Sequence, residues 1–191
     1  MAGDAHEATL APEWVPAPGR WYLRPVPHSR IEQARSFLLT EAEFSPREDW
    51  VAAIDPAMPE SQRELQLEII EAYLSGDIES ILDHAHPDAE ILQAPELPDA
   101  RTYHGRAGML DALLDWPRQW ERFALTPRRI FAVDDEWVVT VALHQGRARI
   151  GIDVEAEIVW AVRWRDGLIV RWETYLALDA ALGAVASASR E

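Results

Sequence analysis

The chain has 191 residues, long enough for one domain with a full hydrophobic core and an appendage. Its 33 acidic and 18 basic residues give a net charge of −15, which would repel phosphates and anionic membranes and so argues against nucleic acid or membrane as a partner. The chain has no cysteine, which excludes disulfides, thiolate chemistry and cysteine-based metal sites.

Residues 1–28 are rich in proline and show little hydrophobic periodicity, which predicts an extended arm. The start, MAGDAHEATLAPEW, lacks the basic and apolar regions of a signal peptide, and no apolar run approaches the roughly 20 residues of a membrane span. We therefore expect a cytoplasmic protein. Trp14 and Trp21 predict that part of the arm covers an apolar surface, either the mouth of a pocket or a partner subunit.

Residues 29–60 predict an N-terminal helical extension. Ser29 is a suitable N-cap for a first helix, whose apolar face carries Ile31, Ala34, Phe37 and Leu38. The motif SPRE, Ser45 to Glu48, has the form of a capping box with proline at the first helical position, and it predicts a short second helix through about residue 54.

Helices continue to predominate after residue 60. A second capping-box motif, SQRE at Ser61 to Glu64, predicts a helix that ends at Gly76, and Asp77 predicts the cap of another short helix. The segment RAGMLDALLDWPRQWERF predicts a further helix, which Pro117 should bend or split. One face of that helix carries Met109, Leu113, Trp116 and Trp120.

From Leu125 onward the hydrophobic period changes from 3.6 to 2. Four strands are predicted, at about residues 125–133, 136–145, 148–165 and 168–177, with the turns VDDEW, HQGR and RDGL between them. The segment LDAALGAVASA predicts a final helix. Helices followed by an antiparallel meander give an α+β fold.

Three segments resemble, in order, the signature segments of the SnoaL-like, nuclear-transport-factor-2-like superfamily: YLSGDIESILDHAHPDAEI, YHGRAGMLDAL and VRWRDGLIVRWETYL. This superfamily includes ketosteroid isomerases, scytalone dehydratase, limonene-type epoxide hydrolases and polyketide cyclases. The resemblance covers roughly residues 61–182 and implies a cone domain over 61–191, in which helices wrap a curved antiparallel sheet around a deep pocket.

The resemblance to ketosteroid isomerases implies positions for the catalytic base and the oxyanion hole. The base falls at about Gln93, the protonated acid at Trp160, and the oxyanion tyrosine near Ile69, one turn before Tyr73. Gln93 has no titratable proton and Trp160 is only a donor. Proton abstraction of that type is therefore not supported.

The resemblance to epoxide hydrolases implies acids on both sides of an arginine, and the long strand after residue 147 carries such a ladder of charges. Because side chains alternate along a strand, its odd-numbered charged residues face away from Trp160, outward or into a subunit contact. A β-bulge near Gly151 would turn Asp153 inward as a catalytic candidate. The ladder consists of Arg147, Arg149, Asp153, Glu155, Glu157 and Arg163.

The pocket predicted by this alternation is aromatic. Nine tryptophans are unusual for this length, and they indicate either core packing or an aromatic-walled cavity. On the strand that starts at Pro87, Gln93 points inward and Glu90 outward. We expect a substrate-binding wall for an apolar or planar molecule, made of Tyr73, Gln93, Trp116, Trp120, Trp160 and Trp172.

Histidines supply the remaining catalytic candidates. His84 and His86 are two residues apart, a spacing that does not bring both rings to one point on a helix, so no metal site is predicted. His144 shares a strand face with Thr140. If that face is the pocket side, His144 is the best general base, but the opposite face, with Val139 and Val141, has the more core-like composition.

Two classes of function follow. The first is an enzyme without a cofactor, of cyclase, hydrolase, dehydratase or isomerase type, that acts on an apolar metabolite. The second is a non-catalytic binding protein for an apolar or planar ligand, or a dimeric interaction module. The enzyme requires a titratable side chain within reach of the cavity, whereas a wall of only apolar groups, Trp and Gln favours binding. The resemblance also implies a homodimer through the outer face of the sheet.

Overall fold

The computed structural model describes residues 15–17, 20–22, 26–40, 42–97 and 100–190. A hairpin comes first, formed by β1 (Val15–Ala17) and β2 (Arg20–Tyr22). Trp14 and the side chain of Trp21 lie outside the described residues, so the arm as lid or dimer contact stays a prediction. No helix among the described residues is long and apolar enough to cross a membrane.

The N-terminal extension folds as α1 (His28–Thr40), β3 (Ala42–Phe44) and α2 (Arg47–Ala52). On the predicted apolar face of α1, Ile31, Ala34 and Leu38 are buried, while the side chain of Phe37 lies outside the described residues. The predicted capping box at Ser45 is wrong, because its hydroxyl donates to Thr126 Oγ1 instead of capping α2.

The next helices are α3 (Glu60–Ser75) and α4 (Ile78–Asp83). The second predicted capping box is also wrong: α3 already begins at Glu60 and has no side-chain cap. Two other predictions are confirmed. Gly76 ends α3 with a left-handed φ of +68°, and Asp77 caps α4 by accepting a hydrogen bond from the Ser80 backbone N–H at 3.1 Å.

The helix α5 (Gly105–Arg118) follows β4 (Ala85–Leu92) and β5 (Thr102–His104). It is shorter than predicted, because β6 (Trp120–Ala132) begins two residues after it. Pro117 lies in the last turn and marks the end of the helix rather than a bend.

Beyond β6 come β7 (Trp137–Ala148), β8 (Asp153–Arg165), β9 (Leu168–Tyr175) and α6 (Leu178–Ala188). The main sheet has the order β3-β6-β7-β8-β9-β4-β5. Strands β6 to β9 form the predicted antiparallel meander, whereas β3 pairs parallel with β6 and β4 pairs parallel with β9. The predicted α+β fold with a curved sheet is confirmed.

The two faces of the sheet pack against different helices. Even-numbered residues of β7 and β8, such as Val138 and Val162, join the main core under the helices that precede β6. Odd-numbered residues such as Val139 and Ala161 form a second cluster with α6. The outer face is therefore partly covered by the chain's own helix, and a homodimer through the remainder of it stays a prediction.

Two helical glycines give opposite expectations for the same substitution. Alanine favours a helix interior by up to about 1 kcal/mol over glycine. At Gly183 an added Cβ meets no atom within 4 Å, so Gly183→Ala should raise the free energy of unfolding by about that amount. At Gly108 the Cβ would lie 2.9 Å from the Tyr103 backbone, so Gly108→Ala should lower it by about 1–3 kcal/mol. Urea unfolding measures the free energy of unfolding of both variants. A Gly108→Ala variant that is more stable than the wild type would contradict the close packing of Gly108 against Tyr103.

Candidate functional site

Two small cavities lie between the helices and the inner face of the sheet. The first has a volume of about 50 Å³ and the second about 70 Å³. Four side chains line both cavities and form the partition between them: Tyr73, Leu125, Trp160 and Trp172.

The first cavity is walled mainly by α3 and the inner face of the sheet. Its polar side chains besides Tyr73 and the indoles are Gln66 and Thr140, which are both buried. The glutamines at 62 and 66 continue the buried stripe of Ile69 and Tyr73 at spacings of three and four residues, so helical spacing could have identified Gln66.

The second cavity lies between α5, β4 and β9. It is lined by Gln93, Trp116, Trp160 and Trp172, as the sequence predicted, together with apolar residues of α5 and Thr174. Trp120, also predicted here, is buried behind Trp116 and does not line either cavity.

The N-terminal extension closes both cavities. Leu38 of α1 lines the second, while Phe44 of β3 and Trp50 of α2 line the first. The Phe44 ring contacts Tyr73 edge-on, with ring centroids 5.9 Å apart. Sequence reasoning placed these residues in an appendage because β3 is too short to give a strand pattern.

Among the described residues, the walls of these two cavities carry no carboxylate and no imidazole. The ionisable side chain among these described wall residues is Tyr73, and burial raises the pKa of its hydroxyl well above the usual value. Tyr73 is therefore neutral over the physiological range and can donate or accept a hydrogen bond, but it cannot serve as a base.

Gln93 is held by a hydrogen-bond chain. Its Nε2 donates to the Tyr103 hydroxyl at 3.1 Å, and this hydroxyl donates to Asp115 Oδ2 at 2.9 Å. Its Oε1 accepts from the Arg101 backbone N–H at 3.3 Å. These contacts fix the amide, and its second N–H has no partner among the described residues. Tyr103 belongs to β5.

His144 lies on the inner face of β7, the face that the sequence analysis considered less core-like. Its side chain is only 1% exposed and packs against Trp116, Trp120 and Phe123, so it does not reach either cavity wall. Its Nε2 is buried without a hydrogen-bond partner among the described residues.

Asp153 points away from both cavities. The pairing of β7 with β8 keeps one register from Trp137–Arg163 to Arg147–Asp153, so no bulge turns this carboxylate inward. The Asp153 side chain is 73% exposed and pairs with Arg147 Nη1 at 3.0 Å. On β9, Glu173 lies on the outer face, where Arg171 and the Tyr175 hydroxyl both donate to its carboxylate.

His84 and His86, the two histidines considered for metal binding, form hydrogen bonds with different partners. His84 places Nε2 3.0 Å from Glu68 Oε2 and Nδ1 2.8 Å from the Ser80 carbonyl, while His86 Nδ1 accepts from the Asp88 backbone N–H. In the described part of the chain, no group of three His, Asp or Glu side chains is arranged to hold a metal ion.

Helices over a curved sheet, with an apolar cavity between them, define the class of cone-shaped nuclear-transport-factor-2-like proteins. The family model of the SnoaL-like domain matches residues 67–172, and the chain belongs to this family. The curated proteins contain no match to the chain.

Solved structures support the same fold. TerC, co-crystallised with polyporic acid, is 24% identical with a TM-score of 0.50, over 63% of this chain and 95% of TerC. An NTF2-like protein of unknown function from Burkholderia pseudomallei K96243 is 18% identical with a TM-score of 0.53, over 65% of this chain and 97% of its own. An NTF2-like protein from Burkholderia xenovorans LB400 is 23% identical with a TM-score of 0.50, over 64% and 93%.

The buried imidazole predicts an acid-sensitive fold. Burial lowers the pKa of His144 from 6.5 to about 4, because the apolar surroundings disfavour the charged ring. Between these values the unfolded chain binds a proton that the folded chain does not, so the free energy of unfolding falls as the pH falls through this window. From pH 7 to pH 4 this group alone should account for about 3 kcal/mol.

The measurement is urea unfolding of the wild type and His144→Phe at both pH values. The variant should lose about 3 kcal/mol less than the wild type over this range, because phenylalanine does not titrate. An equal loss in both proteins would show that the imidazole is charged or solvated in the folded chain.

Proposed function

We propose that this protein binds a compact, planar, apolar molecule in the two cavities and does not transform it with an acid or base of their walls. The observation that carries this proposal is the composition of the walls: aromatic and aliphatic side chains, neutral polar groups, and one tyrosine that stays protonated. This composition supports the binding protein over the enzyme.

The size of the cavities restricts the ligand. Pockets for drug-sized ligands usually measure about 300–1,000 Å³, far more than either cavity here. A ligand larger than a few atoms must therefore displace the partition formed by Tyr73, Leu125, Trp160 and Trp172. The flat faces of the two indoles suit stacking on a planar molecule, which would take the place of their present packing partners.

The polar groups of the walls can orient such a ligand. The available N–H of Gln93 and the hydroxyls of Thr140 and Thr174 stand in otherwise apolar surroundings. Hydrogen bonds from groups so placed fix the orientation of a ligand more than they add to its affinity.

A cofactor-free enzyme is the second candidate, since the family is related to polyketide cyclases and isomerases. His144 is the observation that favours it, because its imidazole is uncharged at neutral pH and its Nε2 has no partner among the described residues. It meets a substrate only after Trp116 moves away from it, so this candidate needs a conformational step that the binding protein does not.

Titration calorimetry with planar polyketide-type, terpenoid and steroid-like compounds, including polyporic acid, tests the proposal. A saturable ligand should bind the double variant Trp160→Phe/Trp172→Phe about tenfold more weakly than the wild type, because both indole faces are reduced. Trp137→Phe is the matched control, because Trp137 lies under α6 on the outer face of the sheet. This variant should bind the ligand with the same affinity as the wild type.

The same mixtures, separated by liquid chromatography and analysed by mass spectrometry after long incubation, distinguish the two candidates, because isomerisation and cyclisation leave the mass unchanged but alter the retention time. Unchanged ligand supports the binding protein. A product that forms only with the protein, and is lost in His144→Phe, would establish the enzyme instead. Equal affinity in the double variant and the wild type would place the ligand outside these cavities.

A further inference from the structure

Four aromatic rings pack at the inner side of α5 and β6, and we call them the aromatic cluster: Trp116, Trp120, Phe123 and His144. The imidazole lies at the centre, with its centroid 4.2 Å from Trp120, 5.4 Å from Trp116 and 5.7 Å from Phe123, to which it is nearly parallel. Trp116 and Phe123 also line the second cavity, so these two rings form the side of the cluster that faces it.

Two nitrogen atoms in the cluster have no hydrogen-bond partner among the described residues. Nε2 of His144 and Nε1 of Trp120 are both buried, and their side chains are only 1% and 7% exposed. Native proteins pair nearly all of their buried polar atoms, because an unpaired one loses its hydration without compensation. Here two such atoms lie on adjacent rings beside the second cavity, where the polar group of a ligand would be a partner for them.

The chain leaves room for this ring pair at one position. A Cβ at Gly146 would lie 3.1 Å from Cε1 of His144 and 2.9 Å from Cε3 of Trp120. Any larger residue would force one of the rings away. The imidazole Cε1, which is bonded to both ring nitrogens, therefore lies against Gly146 and beside Trp120.

Trp116 packs against both rings and lines the second cavity, so it separates the ring pair from that cavity. Its indole makes no hydrogen bond within the described part of the chain. The residue that follows, Pro117, has no N–H to donate to the Leu113 carbonyl, so the last turn of α5 has fewer backbone hydrogen bonds than the rest. Rotation of Trp116 would extend the second cavity to His144.

We propose that His144 and Trp120 form a polar subsite behind Trp116 that binds the hydroxyl group of a planar aromatic ligand. This rests on the proposed function, because the rest of the ligand occupies the second cavity. An indole N–H only donates, whereas a neutral imidazole Nε2 donates or accepts according to its tautomer. The oxygen of a hydroxyl group accepts a hydrogen bond from the indole N–H. The same hydroxyl group can also accept from or donate to His144 Nε2, whichever tautomer is present, whereas a carbonyl oxygen can only accept.

The test compares two ligands that differ only at this group: 2-naphthol, and 2-methylnaphthalene, in which a methyl group of similar size replaces the hydroxyl. Titration calorimetry gives the ratio of their dissociation constants for each protein. This ratio should favour 2-naphthol about tenfold more in the wild type than in His144→Phe or Trp120→Phe, because each variant removes one hydrogen-bonding atom and keeps an aromatic ring. Trp137→Phe should retain the wild-type ratio.

A second measurement uses only the wild-type protein and therefore does not require that the variants fold. In ¹⁵N-labelled wild type, 2-naphthol should shift the imidazole Nε2 resonance of His144, and 2-methylnaphthalene should leave it nearly unchanged. If both ligands bind, but the ratio of their dissociation constants is the same in all variants and 2-naphthol does not shift the His144 Nε2 resonance, the subsite is overturned and the proposed function stands. If neither these two nor any compound of the calorimetric panel binds, the proposed function fails and the subsite with it.

Discussion

The unbroken register between β7 and β8 is the constraint on which the site depends. Because side chains alternate across a strand, one continuous ladder from Trp137–Arg163 to Arg147–Asp153 assigns each residue of 137–147 and 153–163 to a face. Thr140, His144 and Trp160 point to the inner face as a result, while the acids of β8 point outward. A shift of a single residue would exchange these sets, bring carboxylates into the core and expose the indoles.

This division explains why a fold shared with enzymes has here a cavity without a charged group. The charges on the outer strand faces pair with one another, as in Arg163 with Glu136 and Arg171 with Glu90 and Glu173. The inner face of the sheet carries aromatic side chains instead, and these fill most of the space between the helices and the sheet. Under the proposed function, ligand entry would therefore require movement of aromatic side chains, and a ligand would reach His144 and Trp120 only through such movement.

The N-terminal extension also forms part of the cavity walls, although it precedes the region that matches the SnoaL-like domain. Its strand β3 joins the sheet at β6, and the hydrogen bond of Trp50 Nε1 to the Ser45 carbonyl holds the following helix against the core. The extension thereby supplies apolar walls to both cavities. A change within it would alter the cavities without touching the family's own segments.

The sequence by itself determined the α+β fold, the meander of β6 to β9, the end of α3 at Gly76 and the cap at Asp77, because these follow from local periodicity and from backbone preferences of single residues. Alternation also brought Gln93, Trp160 and Trp172 to one wall. Only the tertiary structure decided that Trp120 and His144 lie behind Trp116, that β3 completes the sheet, and that Ser45 bonds to Thr126 instead of capping a helix. These outcomes depend on contacts between segments far apart in the chain, where packing and strand pairing outweigh local preference, and no local pattern encodes them.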